Sequence, residues 1–323
     1  MIPIRDLGTS GLATRPLVLG GNVFGWTADK AASFRILDRF VDGGGTLVDT
    51  ADVYSVWVPG HRGGESESLI GEWLRQSGKR GQVQIATKVG MLAGAGGQGL
   101  APSRIAAACD ESLARLGVET IDLYFAHQDD STVPQADYLG AFARLIEAGK
   151  VRAIGASNFH AARLQSALDL ATREGLPHFR VLQPEYNLIS RSKFEGELQD
   201  LCITHNVGVI PYYGLASGFL TGKYRSEADL GKSVRGGRMA KLLSGRGAAV
   251  LAEMDRVAAE TGAGHAQIAL AWLAAQPGVT APIASATSVE QLETLLGSWT
   301  VSLTRDQLDR LTAAGADTGT AAG

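Results

Sequence analysis

Short apolar runs alternate with longer stretches of helical period along almost the whole chain. The apolar runs fall near residues 17–20, 47–49, 83–88, 121–126, 151–156, 181–185, 207–211 and 280–283. They are apolar throughout, as strands buried on both faces of a parallel sheet are. Between them, helical patterns cover 29–42, 64–77, 103–117, 134–148, 160–173, 195–206, 247–276 and 288–296. Phe34, Leu37 and Val41 mark the apolar stripe of the first. Ile105, Cys109, Leu113 and Leu116 mark another, and Leu139, Phe142 and Ile146 a third. Gly43 to Gly45, Gly117 and Gly149 follow periodic runs and serve as stops. Eight strand–helix units with no break in composition predict a single (β/α)8 TIM barrel over residues 1–323. Residues 2–16, with a Gly-Thr-Ser-Gly turn at 8–11, predict an N-terminal β-hairpin that caps it. A doubly wound sheet is the alternative. Against it, Leu19-Gly-Gly-Asn-Val-Phe-Gly25 has glycines at the wrong spacing for a dinucleotide fingerprint.

Two stretches interrupt the alternation. Residues 90–101 read as a flexible glycine-rich loop, and 213–246 as a long loop rich in Gly, Lys and Arg. Both leave the carboxyl ends of strands, where barrel active sites sit. Composition narrows the function classes. With 45% hydrophobic and 20% charged residues the chain is ordinary globular protein. A net charge of −3 with no basic block argues against nucleic acid or an anionic membrane as the main partner. The two cysteines, Cys109 and Cys202, lie in apolar helical patterns and read as core residues, with no metal site or disulfide. No leader and no run of membrane-spanning length is visible, so a soluble, cytoplasmic protein is expected.

The candidate chemistry lies at strand ends. Leu47-Val-Asp49 places a carboxylate at the end of a buried strand, where it needs a cation or several donors. The strand at 83–88 ends on Lys88, the strand at 121–126 runs into His127, and Tyr54 follows Asp49 by five residues. Singly, each has an ordinary explanation: a turn carboxylate, a packing aromatic, a solvated lysine, a satisfied histidine. In a barrel all four converge on one rim. Lys88 would draw the Tyr54 pKa down from about 10, and Asp49 would hold Lys88 charged. His127 would donate to a substrate oxygen. A proton donor aimed at an oxygen suits carbonyl reduction or alcohol oxidation with a hydride carrier. Trp26, Trp57 and Tyr213 lie in loops expected to ring the pocket, which favours substrates with an apolar or sugar-like face.

Six strings carry a resemblance to a known family. They are Asp49-Thr-Ala-Asp-Val-Tyr54, Thr87-Lys88, His127, Gly149-Lys-Val-Arg-Ala-Ile-Gly-Ala-Ser-Asn158, Gln183-Pro-Glu-Tyr-Asn187 and Gly218-Phe-Leu-Thr-Gly-Lys-Tyr224. In this order, across essentially the whole chain, they resemble the aldo-keto reductases. The resemblance implies Tyr54 as catalytic acid, supported by Asp49, Lys88 and His127. It implies Ser157, Asn158 and Gln183 as partners of a nicotinamide carboxamide, and Tyr212 as the ring stacked on the nicotinamide. Gly21 and Asn22 would border the same cofactor. The segment from Gly214 and Leu215 through Gly218 and Leu220 to Lys223 would hold the pyrophosphate, and Arg235 the adenosine end. NADP(H) is the implied cofactor.

The chain departs from the family after the eighth strand. Thr287 stands where a basic residue is common, and Thr294 and Leu295 stand where Glu and Asn are common; Gln291 is kept. NAD therefore remains an alternative cofactor. Thr287-Ser-Val-Glu290 reads equally as a helix-capping box, and Arg235 equally as a solvated charge beside Lys232, Arg238 and Lys241. Two further readings compete. One is a cofactor-binding subunit reporting to a partner protein, as in relatives attached to potassium channels. The other is a Schiff-base lyase acting through Lys88, which an adjacent Asp49 opposes. The resemblance implies a small carbonyl or alcohol substrate without specifying which, and leaves the oligomeric state open.

Overall fold

A computed structural model describes residues 2–233 and 236–316. The hairpin comes first, with β1 (Arg5–Asp6) antiparallel to β2 (Ala13–Thr14). The barrel strands are β3 (Val18–Gly20), β4 (Leu47–Asp49), β5 (Gln84–Val89), β6 (Ile121–Ala126), β7 (Val151–Ser157), β8 (Val181–Gln183), β9 (Gly208–Val209) and β10 (Ile283–Ala284). All pair in parallel in the order β10-β3-β4-β5-β6-β7-β8-β9. The ring closes where Thr280 N–H donates to the Val209 carbonyl (2.8 Å) and Ile283 N–H to that of Pro211 (2.9 Å). Outside it lie α1 (Lys30–Asp42), α2 (Glu65–Ser77), α3 (Pro102–Leu116), α4 (Gln135–Glu147), α5 (Ala161–Glu174), α6 (Glu197–Thr204), α7 (Gly245–Thr261), α8 (His265–Ala274), α9 (Val289–Leu296) and α10 (Arg305–Ala314).

The core has two layers, as period-2 strands beneath amphipathic helices require. The larger lies between strands and helices, where Leu37, Ile105, Cys109, Leu139 and Phe142 are buried. The smaller fills the barrel itself. It joins Val18, Leu47, Leu123, Phe125, Val181 and Ile283 to Leu7 and Leu12 of the hairpin. Phe125 has room because its neighbour across the ladder is Gly155, where a Cβ would sit 2.3 Å from the ring. The hairpin seats through a similar contact: a Cβ on Gly8 would lie 2.4 Å from the Gly208 nitrogen. The hairpin thus plugs the amino-terminal mouth of the barrel.

Three expectations need correction. The helix read over 247–276 is two helices, α7 and α8, parted where Gly262 caps one in the left-handed region (φ +72°) and Gly264 starts the next. The apolar period simply runs on across that break. Residues 305–314 form α10, capped by Thr304 and Gln307; its stripe is too thin to announce it, since among its hydrophobics only Leu311 is fully buried. The long loop after β9 is not without structure but contains 3₁₀ turns at Ala216–Thr221, Glu227–Lys232 and Gly236–Leu242. The glycine-rich loop is also pinned. Gly94 and Gly97 exchange backbone bonds, Leu100 N–H donates to Asp130, and Arg104 holds the Ala95 carbonyl. Among the described residues no helix is long and apolar enough to cross a membrane.

The hairpin plug yields a stability expectation. Gly208→Ala places a Cβ 2.6 Å from the Gly8 nitrogen and is expected to cost about 1–3 kcal/mol, the usual range for overpacking. Urea unfolding measures it, and an unchanged midpoint would show that the hairpin seat is loose.

Candidate active site

β4 ends on Asp49, whose pairing places it beside Gly20 of β3 and Ala86 of β5. Lys88 lies two residues further along β5 and is fully buried. Its ammonium donates to Asp49 Oδ2 (2.7 Å), the Thr50 carbonyl (2.6 Å) and the Tyr54 hydroxyl (3.1 Å). An ammonium has three protons, and all three have acceptors. Asp49 Oδ1 accepts from Gln183 Nε2 at 2.8 Å, which ties β8 to the same carboxylate. Tyr54 sits in a turn, its N–H bonded to the Ala51 carbonyl, and its ring centroid lies 6.0 Å from that of His127. The four expected residues do meet.

The electrostatics correct one expectation. Burial raises the Tyr54 pKa, Lys88 pulls it down, and burial prevails, so the phenol stays above its ordinary value. Burial also pulls Lys88 down, but Asp49 and then Tyr54 outweigh it and keep the ammonium charged. The phenol and the ammonium thus both rest protonated. Lys88 is not the neutral amine that a Schiff base needs. His127 is driven well below its ordinary value by burial and by Lys88, so its ring is neutral. Its Nδ1 is buried without a hydrogen-bond partner among the described residues. The single ring proton is therefore best assigned to Nε2.

The aromatic residues expected at the rim fall into two groups of ring contacts. Trp57 stands edge-on to Tyr54 (5.8 Å between centroids) and Trp26 to Trp57 (5.6 Å). Trp57 and Tyr213 are nearly half exposed (45% and 46%), and Tyr213 packs against Tyr212 at 4.9 Å. Asn22 accepts from Ser285 Oγ at 2.6 Å, and Gly21 N–H donates to the Asp49 carbonyl, so both lie at the β3 end of the rim.

The remaining candidates run along the ends of β7 to β10. Ser157 Oγ donates to the Gln183 carbonyl, and Asn158 Nδ2 to that of His127. Tyr212 Oη donates to Asn158 Oδ1 at 2.8 Å. Beyond them Ala216, Ser217 and Gly218 take consecutive left-handed conformations (φ +46°, +56° and +97°). Ala216 and Gly218 donate their N–H groups to the Tyr213 and Leu215 carbonyls (2.7 and 2.9 Å), and Lys223 Nζ lies 3.7 Å from where a Gly218 Cβ would be. Gly214 backs onto Leu270 and Leu273, and Leu215 begins the turn. The Leu220 side chain is fully buried and its N–H donates to the Leu215 carbonyl (3.2 Å), so it offers no donor to a ligand. Arg235 lies outside the described residues. The capping box shifts by one residue: Ser288 is the N-cap of α9 and accepts from Gln291 N–H, while Gln291 Oε1 accepts from Thr287 N–H and hydroxyl. Leu295 is a core residue, and the Thr294 hydroxyl donates back to the Glu290 carbonyl (3.0 Å).

Sequence reading missed a group of buried charges behind the site: Asp52, Glu67 and Arg104. One signal was available, because Glu67 shares the apolar stripe of α2 with Ile70 and Leu74. It also gave no role to Asp129 and Asp130, which bond Arg163 and the glycine-rich loop respectively.

Comparison with known proteins agrees with this geometry. The profile described as the Aldo/keto reductase family matches residues 16–316. An "uncharacterized oxidoreductase" of Bacillus subtilis (strain 168) is 33% identical over 94% of this chain and 93% of its own length. The L-glyceraldehyde 3-phosphate reductase of Escherichia coli (strain K12) is 32% identical over 90% and 85% respectively. A "probable voltage-gated potassium channel subunit beta" of Oryza sativa subsp. japonica is 32% identical over 89% and 88%. The chain belongs to the aldo/keto reductase family of oxidoreductases.

Removing one member of a buried ion pair strands the other. Lys88→Met, which leaves Asp49 with Gln183 alone, is expected to lose about 3–5 kcal/mol. Denaturant unfolding tests this, and a midpoint equal to the parent's would refute the account of Lys88 given above.

Proposed function

We propose that this protein is an NADP(H)-dependent carbonyl reductase, working in reverse as an alcohol dehydrogenase, with Tyr54 as the proton donor. The observation that carries the proposal is the Lys88 ammonium, bonded at once to Asp49 and to the Tyr54 hydroxyl. When bound, the nicotinamide supplies the hydride for the carbonyl carbon. Tyr54 gives its proton to the carbonyl oxygen, and Lys88 offsets the charge left on the phenolate. Neutral His127 donates a hydrogen bond to the same oxygen and orients it. For binding, Ser157, Asn158 and Gln183 bring amide and hydroxyl groups to the nicotinamide end, and Tyr212 offers it a ring face. The left-handed run at 216–218 with Lys223 suits a pyrophosphate. Lys223, with Arg235, favours the more highly charged NADP(H). The Thr287 hydroxyl is held by Gln291, so the start of α9 supplies the neutral donors where relatives often have a cation.

Tyr54→Phe is expected to lower turnover of a simple aromatic aldehyde, 4-nitrobenzaldehyde, by about 10²–10⁴-fold, the usual scale of general acid catalysis. NADPH affinity by fluorescence titration should stay nearly unchanged. Turnover at the parent rate would remove Tyr54 from the mechanism. The same titration run with NADH is expected to give the weaker affinity; equal or tighter NADH binding would overturn the cofactor assignment. Because the phenol is held above its ordinary pKa, carbonyl reduction should keep its donor through the neutral range. Alcohol oxidation, which needs the phenolate, should rise steadily with pH.

A further inference from the structure

Beneath the turn that carries Tyr54 lies a set of buried charges with no part in the proton transfer. Asp52, Glu67, Thr87 and Arg104 are fully buried. Glu67 is well supplied: Thr87 Oγ1 donates to it at 2.6 Å and Arg115 Nε at 2.7 Å. Arg104 donates to the Ala95 carbonyl (3.0 Å) and to both oxygens of Glu111 (3.3 and 3.1 Å), and stands 3.6 Å from Asp52 Oδ2. Asp52 is the exception. Neither of its carboxylate oxygens has a hydrogen-bond partner among the described residues, and the same holds for Arg104 Nε and the Tyr124 hydroxyl. The two arginines and the nearby Val53 N–H are poor compensation for taking a carboxylate out of water.

The cover over this group is the glycine-rich loop 90–101. Arg104 holds it at Ala95, Ser103 Oγ donates to the Gly96 carbonyl, and Asp130 accepts from Leu100 N–H. Leu92 of the loop lies against Gly63: a Cβ at Gly63 would be 2.8 Å from Leu92 Cδ2 and 2.7 Å from the Asp52 carbonyl oxygen. On its other side Asp52 donates its N–H to the Lys88 carbonyl (3.3 Å), two residues before Tyr54. One residue thus touches the loop's anchor through its side chain and the proton-donor segment through its backbone.

We infer that Asp52 is a positioning residue: through Arg104 it couples the Tyr54 segment to the loop 90–101, so that opening of the loop and the proton on one buried carboxyl are linked. The groups facing Asp52 are Glu67 from α2, Arg104 and Arg115 from α3, and Tyr124 from β6. Burial, and then Glu67, push its carboxyl up to about 7 from an ordinary 3.8, against the pull of both arginines. The closed arrangement therefore favours the protonated form. An opening that admits water returns the carboxyl toward its ordinary range and favours the ionised form. Closure is fully supported below the ordinary carboxyl range and loses support as pH rises toward about 7. Within that window opening can gain up to about tenfold per pH unit, and above it the effect levels off.

The coupling stands apart from the carbonyl-reductase reading, on which only its kinetic consequence rests. Hydrogen exchange of the full chain between about pH 5 and 8.5, corrected for intrinsic rates, reads it through the amides of Gly97 and Leu100. Protection should fall by up to about tenfold per pH unit below 7 and then flatten. Asp52→Asn should hold the low-pH protection throughout. A wild-type profile without this inflection, or one that Asp52→Asn reproduces, overturns the inference. If Asp52→Asn does not fold, the wild-type profile alone decides. With 4-nitrobenzaldehyde as probe, KM of the parent should rise over the same range and that of Asp52→Asn should not. A dependence confined to kcat would place Asp52 in proton transfer and end the positioning role. An enzyme that reduces no aldehyde contradicts the carbonyl-reductase reading and leaves the exchange result to stand by itself.

Discussion

The site depends on one buried ammonium. Lys88 is out of water, and the barrel can hold its charge there only because a carboxylate, a backbone carbonyl and a phenol take its three protons. That requirement fixes much else. Asp49 must end β4 beside β5, the chain must turn back at Ala51 so that Tyr54 reaches the amine, and Gln183 must cross from β8 to fill the carboxylate's other oxygen. The chemistry and the packing are the same set of contacts.

The scaffold presents that set at one end only. Leu7 and Leu12 fill the opposite mouth and join the inner layer of Val18, Leu47, Leu123 and Phe125. The loops after β3 and β4 bring Trp26 and Trp57 to the phenol's side of the mouth. The loop after β9 places Lys223 beside Gly218. Asp49, Lys88, Ser157 and Gln183 sit at strand ends, while Tyr54 and Trp57 lie on the turns just beyond them.

Much of this was legible in the sequence. The alternation of apolar runs with helical periods set the barrel, and strand-terminal Asp49, Lys88 and His127 stood out because ionisable residues rarely follow such runs. The failures share a cause: they concern interactions that no local period records. Gly262 and Gly264 split a stripe whose apolar spacing continues unbroken. α10 shows little apolar face because Leu311 does most of its burying. The direction of the Tyr54 shift depends on how much protein surrounds the phenol, and the presence of Lys88 alone does not determine it. Thr294 and Leu295 looked like a lost ligand pair until Leu295 proved to be core. Asp52 and Arg104 gave almost no signal, because their meeting is purely tertiary.

The contact between Phe125 and Gly155 has a consequence for how such a barrel can diverge. The two residues face each other across the β6–β7 ladder, and the ring occupies the volume that any side chain at 155 would claim. Neither position can drift on its own: enlarging one requires shrinking the other in the same lineage. Among descendants of this chain the two should be inherited as a matched couple, large with small, irrespective of what the open mouth has come to bind.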